Sequence, residues 1–160
     1  MIVIADTSVV LNLCCVRREQ LLAALFGRVL VPTEVAAEFR RLAGMDARFA
    51  ELTLPAWVEV LQTSAPPPEV SAANLDIGEA AAIALCLSHS ADALLMDETL
   101  GRAVAARLGL RTIGTLGILL DARSRGLIER VAPVMDDLEQ RAGFWIAPTL
   151  RARVLRLAGE

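Results

Sequence analysis

Apolar residues fall along this chain in two patterns. Short unbroken runs, Ile2-Val3-Ile4-Ala5, Val29-Leu30-Val31 and Ala93-Leu94-Leu95-Met96, have the length and branching of strands covered on both faces of a parallel sheet. Arg111-Thr112-Ile113 predicts a last short strand, and Trp57-Val58-Glu59-Val60-Leu61 alternates as a half-buried one. Between these runs, apolar positions recur at helical spacing. Residues 9–26 predict two helices, broken at Arg17-Arg18-Glu19-Gln20 and ended by Gly27. Pro32-Thr33-Glu34 predicts a helix start with Thr33 as cap and a run to about Leu42. Val35, Phe39 and Leu42 share one face of it, and Glu38 lies on or beside that face. Residues 44–54 predict a further short helix, and Ala65-Pro66-Pro67-Pro68 a stiff surface connector, neither helix nor central strand.

In the second half, Asp76 and Glu79 have the spacing of a capping box, with Asp in place of Ser or Thr. They open the most apolar helix of the chain, residues 80–88, which has to be buried nearly all round. Residues 99–108 predict an amphipathic helix closed by Gly109, and Thr115 a cap for a helix running to about Arg125. Helices over residues 132–141 and 149–157 follow, separated by Phe144-Trp145-Ile146-Ala147-Pro148, which reads as core in preference to a partner surface. The order of strands and helices predicts an α/β fold of three layers, with a mostly parallel central sheet, right-handed crossovers and helices on both faces. Residues 1–160 are expected to form a single domain, residues 1–113 carrying the sheet and residues 114–160 a mainly helical completion.

Composition narrows the function. No apolar run approaches the roughly 18 residues of a membrane span, and Asp6 interrupts what would be the apolar segment of a leader, so a soluble, cytoplasmic protein is expected. Cys14, Cys15 and Cys86 form no disulfide framework, and with His89 as the one histidine a structural zinc site has almost nothing to build on. The net charge of −3 makes the molecule as a whole a poor magnet for nucleic acid.

The informative residues are acids. Asp6-Thr7-Ser8 follows the first strand and Asp97-Glu98 another, and ligands of open α/β sheets bind outside the carboxyl ends of strands. Glu38 and Glu79 lie near the starts of helices expected at that same edge. Each has a structural reading too: Glu38 as an exposed residue at the edge of its stripe, Glu79 as half of the capping box. Carboxylates brought together repel and hold protons unless a cation intervenes. Mg²⁺ or Mn²⁺, which prefer oxygen ligands, would answer that need. They would also give an acidic site affinity for a polyanion.

Ile2-Val3-Ile4-Ala5-Asp6-Thr7-Ser8, Val31-Pro32 with Val35 and Glu38, Leu75-Asp76-x-Gly78-Glu79-Ala80 and Leu94-Leu95-Met96-Asp97-Glu98 together resemble, in order, the motifs of PIN-domain ribonucleases, which include VapC-type toxins. Gly114-Thr115-Leu116-Gly117 and Phe144-Trp145-Ile146 are similar to the carboxyl half of a prokaryotic subgroup. The resemblance implies cleavage of single-stranded RNA by metal-activated water. It implies Asp6, Glu38 and Glu79 as metal ligands, with Asp97 or Glu98 as the fourth, Asp97 being favoured because it ends the strand directly. Ser8 resembles the family hydroxyl that helps hold the first aspartate or a water, and capping the next helix is its other reading. Asn12 and Arg102 are candidate substrate contacts. A homodimer and an antitoxin protein seated on the groove are further expectations of the family.

Two other readings compete. One is a catalytically silent PIN-like module that binds RNA or a protein partner. The other is a phosphotransfer enzyme with an aspartate nucleophile after the first strand, but haloacid-dehalogenase-like phosphatases want a second Asp two positions on, where this chain has Ser8.

Overall fold

The computed structural model describes residues 1–160. Its centre is a five-stranded, wholly parallel sheet of β1 (Ile2–Ala5), β2 (Arg28–Pro32), β3 (Glu59–Leu61), β4 (Ala93–Leu95) and β5 (Thr112–Ile113), in the spatial order β3-β2-β1-β4-β5. The chain winds outward from β1 to one edge and then from β4 to the other. The strand order therefore switches between β1 and β4, and side-chain alternation explains how both faces are used. Val3, Ala5, Val29, Val31, Ala93 and Leu95 point into a larger apolar cluster, while Ile4, Leu30, Leu94 and Met96 point into a smaller one on the opposite face.

The larger cluster, of 33 buried residues, is closed by helices α1 (Thr7–Cys15), α2 (Gln20–Phe26), α3 (Thr33–Met45), α7 (Thr115–Ser124), α8 (Ala132–Arg141) and α9 (Pro148–Ala158). The smaller, of 11, is closed by α4 (Pro68–Ser71), α5 (Ile77–Ser88) and α6 (Thr99–Arg107). All of Ala81, Ala82, Ile83, Ala84, Leu85 and Cys86 in α5 are buried, as its unbroken apolar run requires. The three-layer α/β/α architecture with additional carboxyl-terminal helices is as expected.

Several local expectations are corrected. Residues 44–54 do not form a helix: α3 runs on through Gly44, Asp46 turns extended, and one 3₁₀ turn (Ala47–Phe49) follows. Asp46 caps that turn by accepting from the Arg48 N–H, and Glu51 sits at φ 66°, which breaks any helical continuation. The third strand begins at Glu59 rather than Trp57, because the Val58 N–H donates to the Pro55 carbonyl in a turn. Pro68 is helical, at the first position of α4, where a missing N–H costs nothing. Thr33 and Thr115 are the first residues of their helices, not caps; Pro32 and Gly114 hold those positions. The aromatic stretch divides: Ile146 is buried and Phe144 half-buried, but Trp145 is 79% exposed.

Candidate active site at the carboxyl edge of the sheet

β1 ends at Asp6, whose N–H donates to the Leu95 carbonyl of the neighbouring strand at 2.9 Å. This bond fixes the aspartate over the point where the strand order switches. Asp6 is also the residue before the first turn of α1, so its side chain lies 4% exposed under a helix start. A cavity of about 410 Å³ opens there, and its lining collects the acids that the sequence scatters: Asp6, Glu38, Asp76, Glu79, Asp97 and Glu98. Ser8 and Asn12 also line it, Asn12 being 8% exposed. Arg102 does not; it lies in an adjoining trough with Asp97 and Glu98.

Each of the other acids is positioned differently. Glu38 comes from the second turn of α3 and accepts from the Thr7 hydroxyl at 2.5 Å, with Arg41 at 3.7 Å on its other side. Gly78 makes room for this: a methyl group there would stand 2.9 Å from the Glu38 carboxylate. Asp76 and Glu79 form the expected capping box, the Glu79 N–H donating to Asp76 Oδ1 at 2.8 Å and the Asp76 N–H donating to Glu79 Oε2 at 3.2 Å. Asp97 is taken up on both oxygens by the first residue of α7, the Thr115 N–H donating at 2.7 Å and the Thr115 hydroxyl at 2.6 Å. Glu98 is exposed at the rim.

The electrostatics follow from this crowding. Burial pushes the Asp6 carboxyl up to about 7; the Thr7 N–H opposes the rise, and the charges of Asp76, Glu79 and Glu38 add to it. Glu79 is raised by burial and by Asp76, against the help of the Asp76 N–H. Asp97 is raised by burial too, but the two Thr115 bonds and the nearby Arg102 guanidinium hold it back. Arg48 is the one cation lining the cavity, and it is bound to Asp46 at 2.6 Å.

The donor set is all oxygen, with no thiol or imidazole, and its carboxylates are under-compensated. That chemistry fits a hard divalent cation. No three of the carboxylates converge into a finished ligand cage, because Glu38, Glu79 and Asp97 are each turned toward a hydrogen-bond donor of the protein.

Three residues of the site escaped the sequence reading, among them Thr115, read only as a helix cap although it donates to both oxygens of Asp97. Asp76, taken only as a cap, contributes the largest charge effect on Asp6. Beside Asp6 it is Thr7, and not Ser8, whose hydroxyl binds an acid, and Ser8 makes no hydrogen bond to Asp6. The signals for Asp76 and Thr7 were the capping box itself and the hydroxyl next to Asp6.

A doubly wound parallel sheet that gathers acids at its switch point defines an α/β protein with a candidate oxygen-rich site at that edge. A family model described as a PIN domain (DUF3368) matches residues 2–160, and the chain belongs to that family. PIN domains are generally nucleases, which places the chain among hydrolases at that coarse level. No curated protein and no solved structure matches it. No helix is long and apolar enough to cross a membrane.

Proposed function

We propose that the protein is a divalent-metal-dependent endoribonuclease that cleaves single-stranded RNA within one PIN-like domain. One observation carries the reading: six carboxylates border a single cavity whose only cation, Arg48, is already paired. Asp6, Glu38, Glu79 and Asp97, with Glu98 at the rim and Asp76 beside them, would hold Mg²⁺ or Mn²⁺. When bound, the ion supplies positive charge against phosphate oxygens and lowers the pKa of a water.

The chain's own residues prepare for this. The Asp6 carboxyl holds a proton up to about pH 7 and releases it as a cation is taken up. Thr7 holds Glu38 in place, and Thr115 holds Asp97 at the boundary between the cavity and the adjoining trough. Asn12, buried at the cavity wall, is placed to orient a water or a phosphate oxygen. The role of toxin in a toxin and antitoxin pair, a homodimeric state and a cytoplasmic setting are the parts of this proposal that rest on family resemblance.

The test is cleavage of a labelled single-stranded RNA in Mg²⁺ or Mn²⁺ by the parent and by Asp6→Asn, Glu79→Gln and Asp97→Asn. If all three variants cleave as fast as the parent, the assignment is wrong. A second reading, a catalytically silent module that binds RNA or a protein, draws support from the absence of three converged carboxylates. Calorimetry separates the two: a silent module takes up no Mn²⁺ at the acids.

A further inference from the structure

The acid cavity continues into a second trough of about 710 Å³ that shares Asp97, Glu98, Phe144 and Trp145 with it. This trough is built unlike its neighbour. Its lining is half apolar, with Leu116, Leu120 and Val154 among its residues, and it includes Arg102 and Arg153. Neither arginine has a carboxylate within 4 Å, although Arg102 is close enough to Asp97 to be felt by it. Trp145 stands at the junction, 79% exposed, where a tryptophan serving the core would be buried.

A polyanion approaching six carboxylates in a chain of net charge −3 is repelled over most of its length. Its phosphates beside the reacting one need cations next to the cavity. Arg48 is committed to Asp46, so among the residues lining the two spaces Arg102 and Arg153 remain. An aromatic face, apolar side chains and two guanidinium groups match the two halves of a nucleotide, a flat base and a charged phosphate.

We propose that this trough seats the nucleotide next to the cleaved bond, its base stacked on Trp145 and its phosphates held by Arg102 and Arg153. The proposal rests on the nuclease reading for the identity of the strand. It goes further in assigning where the strand sits and which residues hold it, and in making the contact sequence-tolerant, because any unpaired base can stack on an aromatic face.

The experiment titrates the full-length protein with a single-stranded RNA octamer in Ca²⁺ in place of Mg²⁺ or Mn²⁺, so that the carboxylates are compensated while binding is read apart from turnover, and follows tryptophan fluorescence and affinity at two salt concentrations. The chain has two tryptophans, and Trp57 is only half exposed, so quenching by stacked bases should disappear in Trp145→Phe. Trp145→Ala is expected to weaken binding by about tenfold or more, and Trp145→Phe by about threefold or less, as base stacking on an aromatic face requires. Arg102→Gln and Arg153→Gln should each weaken binding and lower the salt slope by roughly 0.7, one phosphate contact on a single strand.

Unchanged affinity in Trp145→Ala overturns the proposal, as does an unaltered salt slope in both arginine variants. Loss of self-association in Trp145→Ala with RNA affinity intact also overturns it, and makes the trough a face between copies of the chain. Failure here is distinguishable from failure of the nuclease reading. In the first case Trp145→Ala binds and cleaves as the parent while Asp6→Asn is inactive. In the second, the acid variants cleave as the parent whatever the trough does.

Discussion

Asp6 and Asp97 end adjacent strands of one sheet and line one cavity, yet the protein treats them in opposite ways. Asp97 is received by the amino-terminal residue of α7, with a donor for each oxygen and an arginine nearby. Asp6 has the Thr7 N–H to help it, and three other carboxylates press on it. A buried carboxylate left so poorly compensated is costly to the fold, whereas Asp97 contributes to holding α7 against the sheet. The difference separates a side chain that, on the proposed reading, is kept for a ligand from one that serves structure, a distinction invisible from their similar places in the sequence.

The largest expected effect breaks this pairing by activity. Asp6→Asn should lower the rate of RNA cleavage in Mg²⁺ or Mn²⁺ by about 10³-fold, the order of a lost electrostatic contact to the reacting group, with thermal stability of the metal-free protein unchanged or raised. Cleavage assays alongside calorimetric melting would read both. A melting point well below the parent's would show that Asp6 stabilises the fold after all.

Next comes the pH dependence of stability. The folded Asp6 carboxyl titrates near 7 against an ordinary value of 3.8, so between those values the native state binds a proton that the unfolded chain has lost. Its contribution is therefore fully present below about pH 4 and is lost as pH rises through 7, amounting to up to about 4 kcal/mol at 1.36 kcal/mol per pH unit. Chemical denaturation in EDTA from pH 4 to 8 should show a clearly steeper decline in the parent than in Asp6→Asn, where the raised Glu79 and Asp97 leave a smaller one. Added Mn²⁺ should reverse it at the upper end, by binding only the folded state.

The Asp97 side of the comparison is sharpened by Thr115→Val. Thr115 is fully buried, and removing its hydroxyl strips one oxygen of Asp97 of its donor, which should cost about 1.5–3 kcal/mol in urea denaturation. The smallest effect is on the Asp6 side. Gly78→Ala places a methyl group against the Glu38 carboxylate and should displace it from Thr7, lowering cleavage about tenfold, or roughly 1.4 kcal/mol, while folding stability is unchanged or slightly raised by better helix propensity. A full-rate Gly78→Ala enzyme would mean that the position of Glu38 does not matter to the reaction.

Much of this arrangement was legible in the chain. The short apolar runs identified β1, β2 and β4 because strands covered on both faces need nothing else, and the acids following β1 and β4 marked the edge where the acidic cavity opens. The capping box was readable from Asp76 and Glu79 alone, since both partners lie within one helical turn. What was lost depends on contacts across the sequence. Asp46 and Glu51 end helical continuation through backbone angles that spacing does not encode. Thr115 reads as an ordinary cap until folding carries Asp97 to it from 18 residues away. Trp145 reads as core because large aromatics usually are, and only the folded chain leaves it uncovered beside the acids.

The reciprocal bond between Glu79 and the backbone of Asp76 has one more consequence. The carboxylate proposed to grip an ion is the same one that accepts the Asp76 amide proton, through Oε2, so an ion taken on that oxygen would uncover the amide while the Glu79 N–H stays bound to Asp76 and the first turn of α5 stays in place. That single proton is a native gauge of occupancy. Its hydrogen-exchange rate should quicken as Mn²⁺ or Mg²⁺ is added, at the moment the rest of the molecule becomes harder to unfold.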